Sequence, residues 1–340
     1  MTAPSIPVGV ATGVGSWPGI DPREAAAIVV GELPALPHLV ELPDRGVGAD
    51  MIGRAAALLI DLPLDTSTTA YRLAQRPGAV TRRARDLLRR DLDALEEAWE
   101  VVGRRGTDQP VKIQSVGPLT LAAQVELSGG HRVLTDAGAL RDLAESLAEG
   151  LRVHVAEVAR RLGSPVVVQL DEPGLPAVLA GSLAGVSILQ TPRAMPEPEA
   201  LAVLSSVIGR LESPVLVHSC AAGLPLGLLR RSGAAMIGLD LSELTVADLD
   251  GVGELLEDGI ALALGLVPTL GAEPAPGWRE LALPAVTLVD RLGFPRSVLA
   301  SQVTVTPRCG LAGASPEWAR TALRRAAEVT RAFADGAEFD

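Results

Sequence analysis

The sequence predicts an α/β protein of the (β/α)8 TIM-barrel class, on three observations. Short apolar runs rich in Val, Ile and Leu alternate with long helical patterns, the signature of parallel βα units. Seven such runs are visible, and a length of 340 residues suits eight βα units with one extended region. No internal repeat, low-complexity linker or break in composition divides the chain, so residues 1–340 are read as a single catalytic domain with an extended region at about 35–75. An open doubly wound sheet is the rival arrangement.

The first strand is expected in "VGVATGV" from Val8, ahead of a helix in "PREAAAIVVGEL" from Pro22. The stretch "LPALPHLVELPDRGVG" that follows is rich in proline and has no readable period, so an eighth strand is assigned somewhere between residues 35 and 75. A helix in "TRRARDLLRRDLDALEEAWEVVGR" precedes the strand "VKIQSV" from Val111, and one in "AGALRDLAESLAEGLRVHVAEVARRL" precedes "VVVQL" from Val166. Apolar spacing and a charged outer face mark these helices. Strands are then expected in "VLVHS" from Val215, "AMIGLDL" from Ala235, "IALALGL" from Ile260 and "ASQVTVT" from Ala300, before a last helix in "SPEWARTALRRAAEVTRAFADG".

Composition excludes several classes. A formal net charge of -11 and 2% aromatic residues supply neither the positive field nor the stacking surface that nucleic-acid binding uses. The start of the chain lacks the charged and continuously apolar segments of a signal peptide. Later apolar runs such as "GIALALGLVPTL" are too short to span a bilayer, so a soluble cytoplasmic protein without a membrane partner is expected. Two cysteines make no disulfide framework; one bridge between Cys220 and Cys309 is possible in principle, and in a reducing cytoplasm free thiols or metal ligands are the expectation.

In a barrel of this class, chemistry sits where strands end and βα loops begin. His218 and Cys220 close "VLVHSC" and, two apart on a strand, face the same side. Asp240 closes "MIGLD", and Cys309 follows the last strand 89 residues beyond Cys220. Two thiolates, an imidazole and a carboxylate converging from strand ends form a set suited to zinc, against the alternative of small buried core thiols. Asp171 and Glu172 end another strand in "VVVQLDEPGLP"; Asp171 at the barrel mouth can accept from a substrate ammonium, and the alternative is a turn whose carboxylates cap a helix or pair with an arginine. "GVGSWPG" and "SVGPLTLA" also follow strands, where Gly15 lets backbone approach a ligand and Ser16 or nearby amides can bind a carboxylate, although ordinary tight turns look the same. His131 and His154 are read as structural, and His38 is unassigned.

Taken in this order, "VGSWPG", "VGPLTLA", "QLDEPGLP", "VHSC", "IGLDLS" and "VTPRCGL" resemble the C-terminal catalytic barrel of the cobalamin-independent methionine synthase family, from about Thr12 to the last helix. The resemblance implies a uroporphyrinogen decarboxylase (UROD)/methionine synthase-like barrel and methyl transfer to the sulfur of homocysteine held as a thiolate on zinc. It implies His218, Cys220 and Cys309, with Asp240, as zinc ligands. Asp171 would be the catalytic residue that binds the substrate amine, and Ser16 with Gly15 would bind its carboxylate. The implied partners are a small thiol and a methyl donor, either methylfolate or a methylcorrinoid, free or on a corrinoid protein.

Three departures accompany the resemblance. Asp240 stands where the family usually has Glu. Gly53, in "GADMIGR", occupies the place read as that of a second acid for the substrate amine. "LGLVPTL" lacks the histidine that follows the family's seventh strand and is thought to protonate departing folate, which tells against methylfolate. The alternatives are a zinc-dependent thiol alkyltransferase or lyase acting on another thiol such as coenzyme M, and a catalytically lapsed zinc-binding barrel.

Overall fold

The structure, a computed structural model, describes residues 5–68, 70–183 and 192–336. Its strands are β1 (Leu64–Thr66), β2 (Tyr71–Leu73), β3 (Val111–Val116), β4 (Val125–Glu126), β5 (Val166–Asp171), β6 (Val215–Ser219), β7 (Met236–Asp240), β8 (Ala261–Val267) and β9 (Val303–Pro307). Its helices are α1 (Pro22–Glu32), α2 (Met51–Leu58), α3 (Ala79–Val101), α4 (Pro118–Gln124), α5 (Ala137–Leu162), α6 (Leu175–Ala180), α7 (Glu197–Ile208), α8 (Leu226–Arg231), α9 (Leu249–Glu257), α10 (Trp278–Leu292), α11 (Val298–Ser301) and α12 (Pro316–Ala334). Among the described residues, no helix is long and apolar enough to cross a membrane.

Six strands form a curled parallel half-barrel in the order β3-β5-β6-β7-β8-β9. Of the eight strands expected, six form regular ladders of this sheet among the described residues. "VGVATGV" forms no strand, because Pro7 offers no amide and the glycines at 9, 13 and 15 interrupt the ladder. The segment keeps only a parallel bridge from Ala11 to Val305, and the proline-rich segment keeps one from His38 to Lys112; Ser16 and Glu41 bridge the two segments to each other. The region around 35–75 instead contributes α2 and the β1–β2 hairpin, which joins β4 in a separate three-stranded sheet.

Strand alternation divides the core. Every residue of β3, β5, β6 and β8 is buried, as strands covered on both faces require. Ile113, Val166, Val168, Val215, Val217, Ile237 and Leu262 pack in the larger cluster with the helices. Val167, Leu216, Met236 and Ala263 form a smaller cluster with Ile6 and Leu36 at the closed end of the curl. Two residues further along the same inward face lie Gln169 and His218, and two beyond those Asp171 and Cys220, so the interior turns from apolar to polar toward the strand ends.

Caps fix where the helices begin and end. The Asp21 side chain accepts from the amides of Arg23 and Glu24 ahead of Pro22, Asp136 accepts from Ala139, and Ser315 accepts from Trp318 ahead of Pro316. The predicted extents of α5 and α12 follow these signals closely.

His154 is buried on α5, in keeping with a structural role. Burial, and then the Arg54 charge, push its pKa down from 6.5 to about 3. The unfolded chain binds this proton more readily, so stability is full above pH 6.5 and falls as pH drops toward 3. At about 1.36 kcal/mol per pKa unit, wild type should lose roughly 2–3 kcal/mol more than His154→Gln between pH 7 and pH 4.5 in urea unfolding. Parallel pH profiles would show that His154 does not carry this acid sensitivity.

Candidate active site

At the carboxyl ends of the strands, Ser16, Glu41, Asp171, His218, Cys220 and Cys309 line one cavity of about 130 Å³, with Val14, Met51 and Pro173 as part of its apolar wall. Larger hollows of about 470 and 690 Å³ lie elsewhere and are lined by none of these groups. The small cavity is well below the roughly 300–1,000 Å³ of drug-sized sites, which suits a ligand no larger than a small amino acid.

Asp171 and His218 are register partners on β5 and β6. Asp171 Oδ1 accepts from Gln169 Nε2 at 2.8 Å and lies 2.8 Å from His218 Nδ1, so Nε2 is the ring nitrogen left for another partner. Glu172, next in sequence, goes the other way. Its carboxylate accepts from the Leu119 and Thr120 amides at 2.9 and 2.7 Å and from Thr120 Oγ1 at 2.6 Å, capping the first turn of α4. Burial pushes its pKa up to about 7 against these three donors. The acid pair thus divides into a cavity group and a scaffold anchor.

Glu41 is the residue that sequence reasoning missed. Its amide donates to the Gly15 carbonyl and its carbonyl accepts from Trp17, which places its side chain at the cavity. Burial raises its pKa, the Arg54 guanidinium 3.3 Å away lowers it, and the Asp171 charge raises it again. A lone acid within a proline-rich stretch carries no periodic signal, which is why the sequence did not single it out.

Gly15 does not line the cavity; it shapes the turn that presents Ser16 and Glu41. Its φ of 147° is open to glycine, and a Cβ there would lie 2.8 Å from the Gln114 side chain. Ser16 is held by its carbonyl, which accepts from Leu311. Gly310 lets the loop after β9 close on it, since a Cβ would run into Ser16 Oγ.

The structure pairs Cys220 with Cys309 as a disulfide with Cα atoms 5.8 Å apart, the one bridge that two cysteines allow. Three interstrand steps of about 4.8 Å separate β6 from β9 in a flat sheet, so it is the curl and the loops that bring the sulfurs together. Among the described residues, no group of three or more His, Cys, Asp and Glu side chains is arranged to hold a metal ion. The donor types do fit zinc, with two sulfurs and the His218 imidazole at one cavity.

The family model for the cobalamin-independent synthase catalytic domain matches residues 9–332. The chain belongs to this family. It is a methionine synthase-like methyltransferase by that membership. A B12-independent methionine synthase from Shewanella sp. W3-18-1, solved with selenomethionine, is 12% identical, with a TM-score of 0.62 over 97% of this chain and 99% of that one. A methyltransferase from Methanosarcina mazei is 15% identical, with a TM-score of 0.58 over 99% of this chain and 95% of that one. At such identities these two likenesses concern the fold. No curated protein matched the chain.

Two residues singled out in the sequence are not among those that line the cavity. Asp240 is absent from the cavity lining; its Oδ1 accepts from the Ser242 amide at 2.9 Å and hydroxyl at 2.6 Å, and Arg308 Nε lies 3.9 Å away. Gly53 lies on α2 beside Tyr71 and Asp50, and the second cavity acid is Glu41. The stretch after β8 retains no histidine.

Glu172→Gln would turn one acceptor into a donor facing bound amides, and should cost about 2 kcal/mol or more in urea unfolding. A loss below about 0.5 kcal/mol, within the range of ordinary surface changes, would show that this carboxylate does not anchor α4.

Proposed function

We propose that this protein is a zinc-dependent S-methyltransferase that moves a methyl group to the sulfur of a small amino-acid thiol, with homocysteine the best candidate. The observation that carries the reading is the meeting of Cys220, Cys309 and His218 with two carboxylates, Glu41 and Asp171, around one small cavity. His218 through Nε2, Cys220 and Cys309 would hold the metal. Asp240 is left as a loop cap. When bound, zinc supplies a positive charge that keeps a coordinated thiol as its nucleophilic thiolate near neutral pH.

The chain's own groups then select and orient the acceptor. Two buried carboxylates facing one space favour a cationic guest, so Glu41 and Asp171 accept from the substrate ammonium. Ser16 and the amides near it receive the carboxylate. Methyl transfer forms a sulfur–carbon bond as the bond from methyl to donor breaks, and the donor keeps that electron pair. With no histidine after β8 to protonate a leaving nitrogen, a methylcorrinoid suits this site better than methylfolate. The segments near Ala11 and His38 complete, in this reading, a single-domain (β/α)8 barrel. A reducing compartment such as the cytoplasm is its setting, because the Cys220–Cys309 bond must be open for either sulfur to bind metal. That same bond favours a second reading, a lapsed barrel whose thiols are withheld from metal chemistry.

Mass spectrometry of protein purified under reduction without chelator should find near one zinc per chain in wild type and almost none in Cys309→Ser. Absence of zinc from folded, reduced wild type would overturn the metal reading. Glu41→Gln should raise KM for homocysteine about tenfold or more, the loss of one charge-assisted hydrogen bond, and leave a thiol without an amino group unaffected. Equal losses with both thiols would remove Glu41 from amine recognition.

A further inference from the structure

Below the cavity, inside the curl, lies a charged side chain that the proposed chemistry does not use. Lys112 on β3 is fully buried, and its ammonium donates to Gln169 Oε1 at 2.6 Å and to the Val14 carbonyl at 3.3 Å. Gln169 Nε2 in turn donates to the Val14 carbonyl and to Asp171 Oδ1, both at 2.8 Å. Asp171 Oδ1 meets His218 Nδ1, also at 2.8 Å. Three neighbouring strands are therefore crossed by one line of hydrogen bonds that starts at a cation and ends at a cavity imidazole.

The line has a direction. An ammonium has donors only, so the Gln169 oxygen must face Lys112. The Gln169 NH2 then faces Asp171. An ionised carboxylate only accepts, so the His218 nitrogen turned to it must carry a proton, and in the neutral ring Nε2 then keeps its lone pair.

We propose that Lys112 is a positioning residue of this site, whose buried ammonium fixes through Gln169 the orientation of Asp171 and thereby the ring tautomer of His218. Burial lowers the Lys112 pKa to about 8, and the charges of Asp171 and Glu41 hold it up, so it is a cation at neutral pH. His38, beside it and fully buried, is pushed well below its usual pKa and adds no competing charge. The value of the tautomer to catalysis rests on the proposed role of His218 Nε2 as a ligand, but the tautomer itself is read without metal.

The test uses reduced, metal-free full-length protein with 15N-labelled histidine, and long-range proton–nitrogen correlation of the His218 ring. Wild type should be protonated at Nδ1 alone, with the buried His154 signal as an internal reference. In Lys112→Met, of similar length and without charge, the His218 signals should move toward a mixture of tautomers. Zinc affinity should also fall tenfold or more, the range that outer partners of metal ligands command. If this variant does not fold, Gln169→Glu keeps a partner for Lys112 but sets a carboxylate against Asp171, and should produce the same two changes. An unchanged Nδ1–H tautomer with zinc affinity within twofold, in either folded variant, would overturn the proposal. Wild type with the expected tautomer but no zinc affinity would sink the metal reading and leave this one standing.

Discussion

The cavity depends on the register of Asp171 against His218. Because β5 and β6 are parallel neighbours with these residues paired, one carboxylate oxygen reaches one ring nitrogen at 2.8 Å without any loop contributing. Groups placed on strands of a packed sheet are held more firmly than groups on loops. The same register sends the next residue, Glu172, outward to cap α4, so two adjacent acids have unrelated duties. Position on a pleat, rather than residue type, separates them.

Buried charge is the second organising fact. Glu41 reaches Arg54 on α2, Arg54 reaches Asp91 on α3 at 2.7 Å, and Asp91 also holds Arg45 at 2.8 Å. Removing one partner of such a buried pair typically costs about 3–5 kcal/mol, so the cluster ties the irregular region before α2 to the long α3 helix. It also delivers Glu41 to the cavity with its charge partly balanced. On the interior side, Lys112 balances Asp171 in the same way through Gln169. Two carboxylates can thus remain near each other with room for a cationic guest.

The sulfurs show how the curl of the sheet differs from its strand order. Cys220 and Cys309 follow strands three places apart, yet their Cα atoms are 5.8 Å from each other. The isolated bridges of Ala11 to Val305 and His38 to Lys112 lie beside the outer strands β9 and β3, where proline and glycine prevent a regular ladder. Of the three departures from the family pattern, Asp240 and the stretch without histidine follow β7 and β8, and Gly53 lies on α2. The inward-facing residues Gln169, Asp171, His218 and Cys220 sit deeper, on or directly beyond the strands.

The sequence by itself determined the parallel βα alternation, all six strands of the half-barrel, the long helices, and the placing of Asp171, His218, Cys220 and Cys309 at strand ends. Apolar runs, capping residues and a period of two or 3.6 are local signals, so they survive in one dimension. Only the tertiary structure decided that the first and proline-rich segments stay irregular, that Asp240 turns to its own loop, and that Glu41 is the second cavity acid. Those outcomes depend on which backbone groups find partners across tens of residues, as Glu41 does with Gly15 and Arg54, and no local period encodes such a pairing.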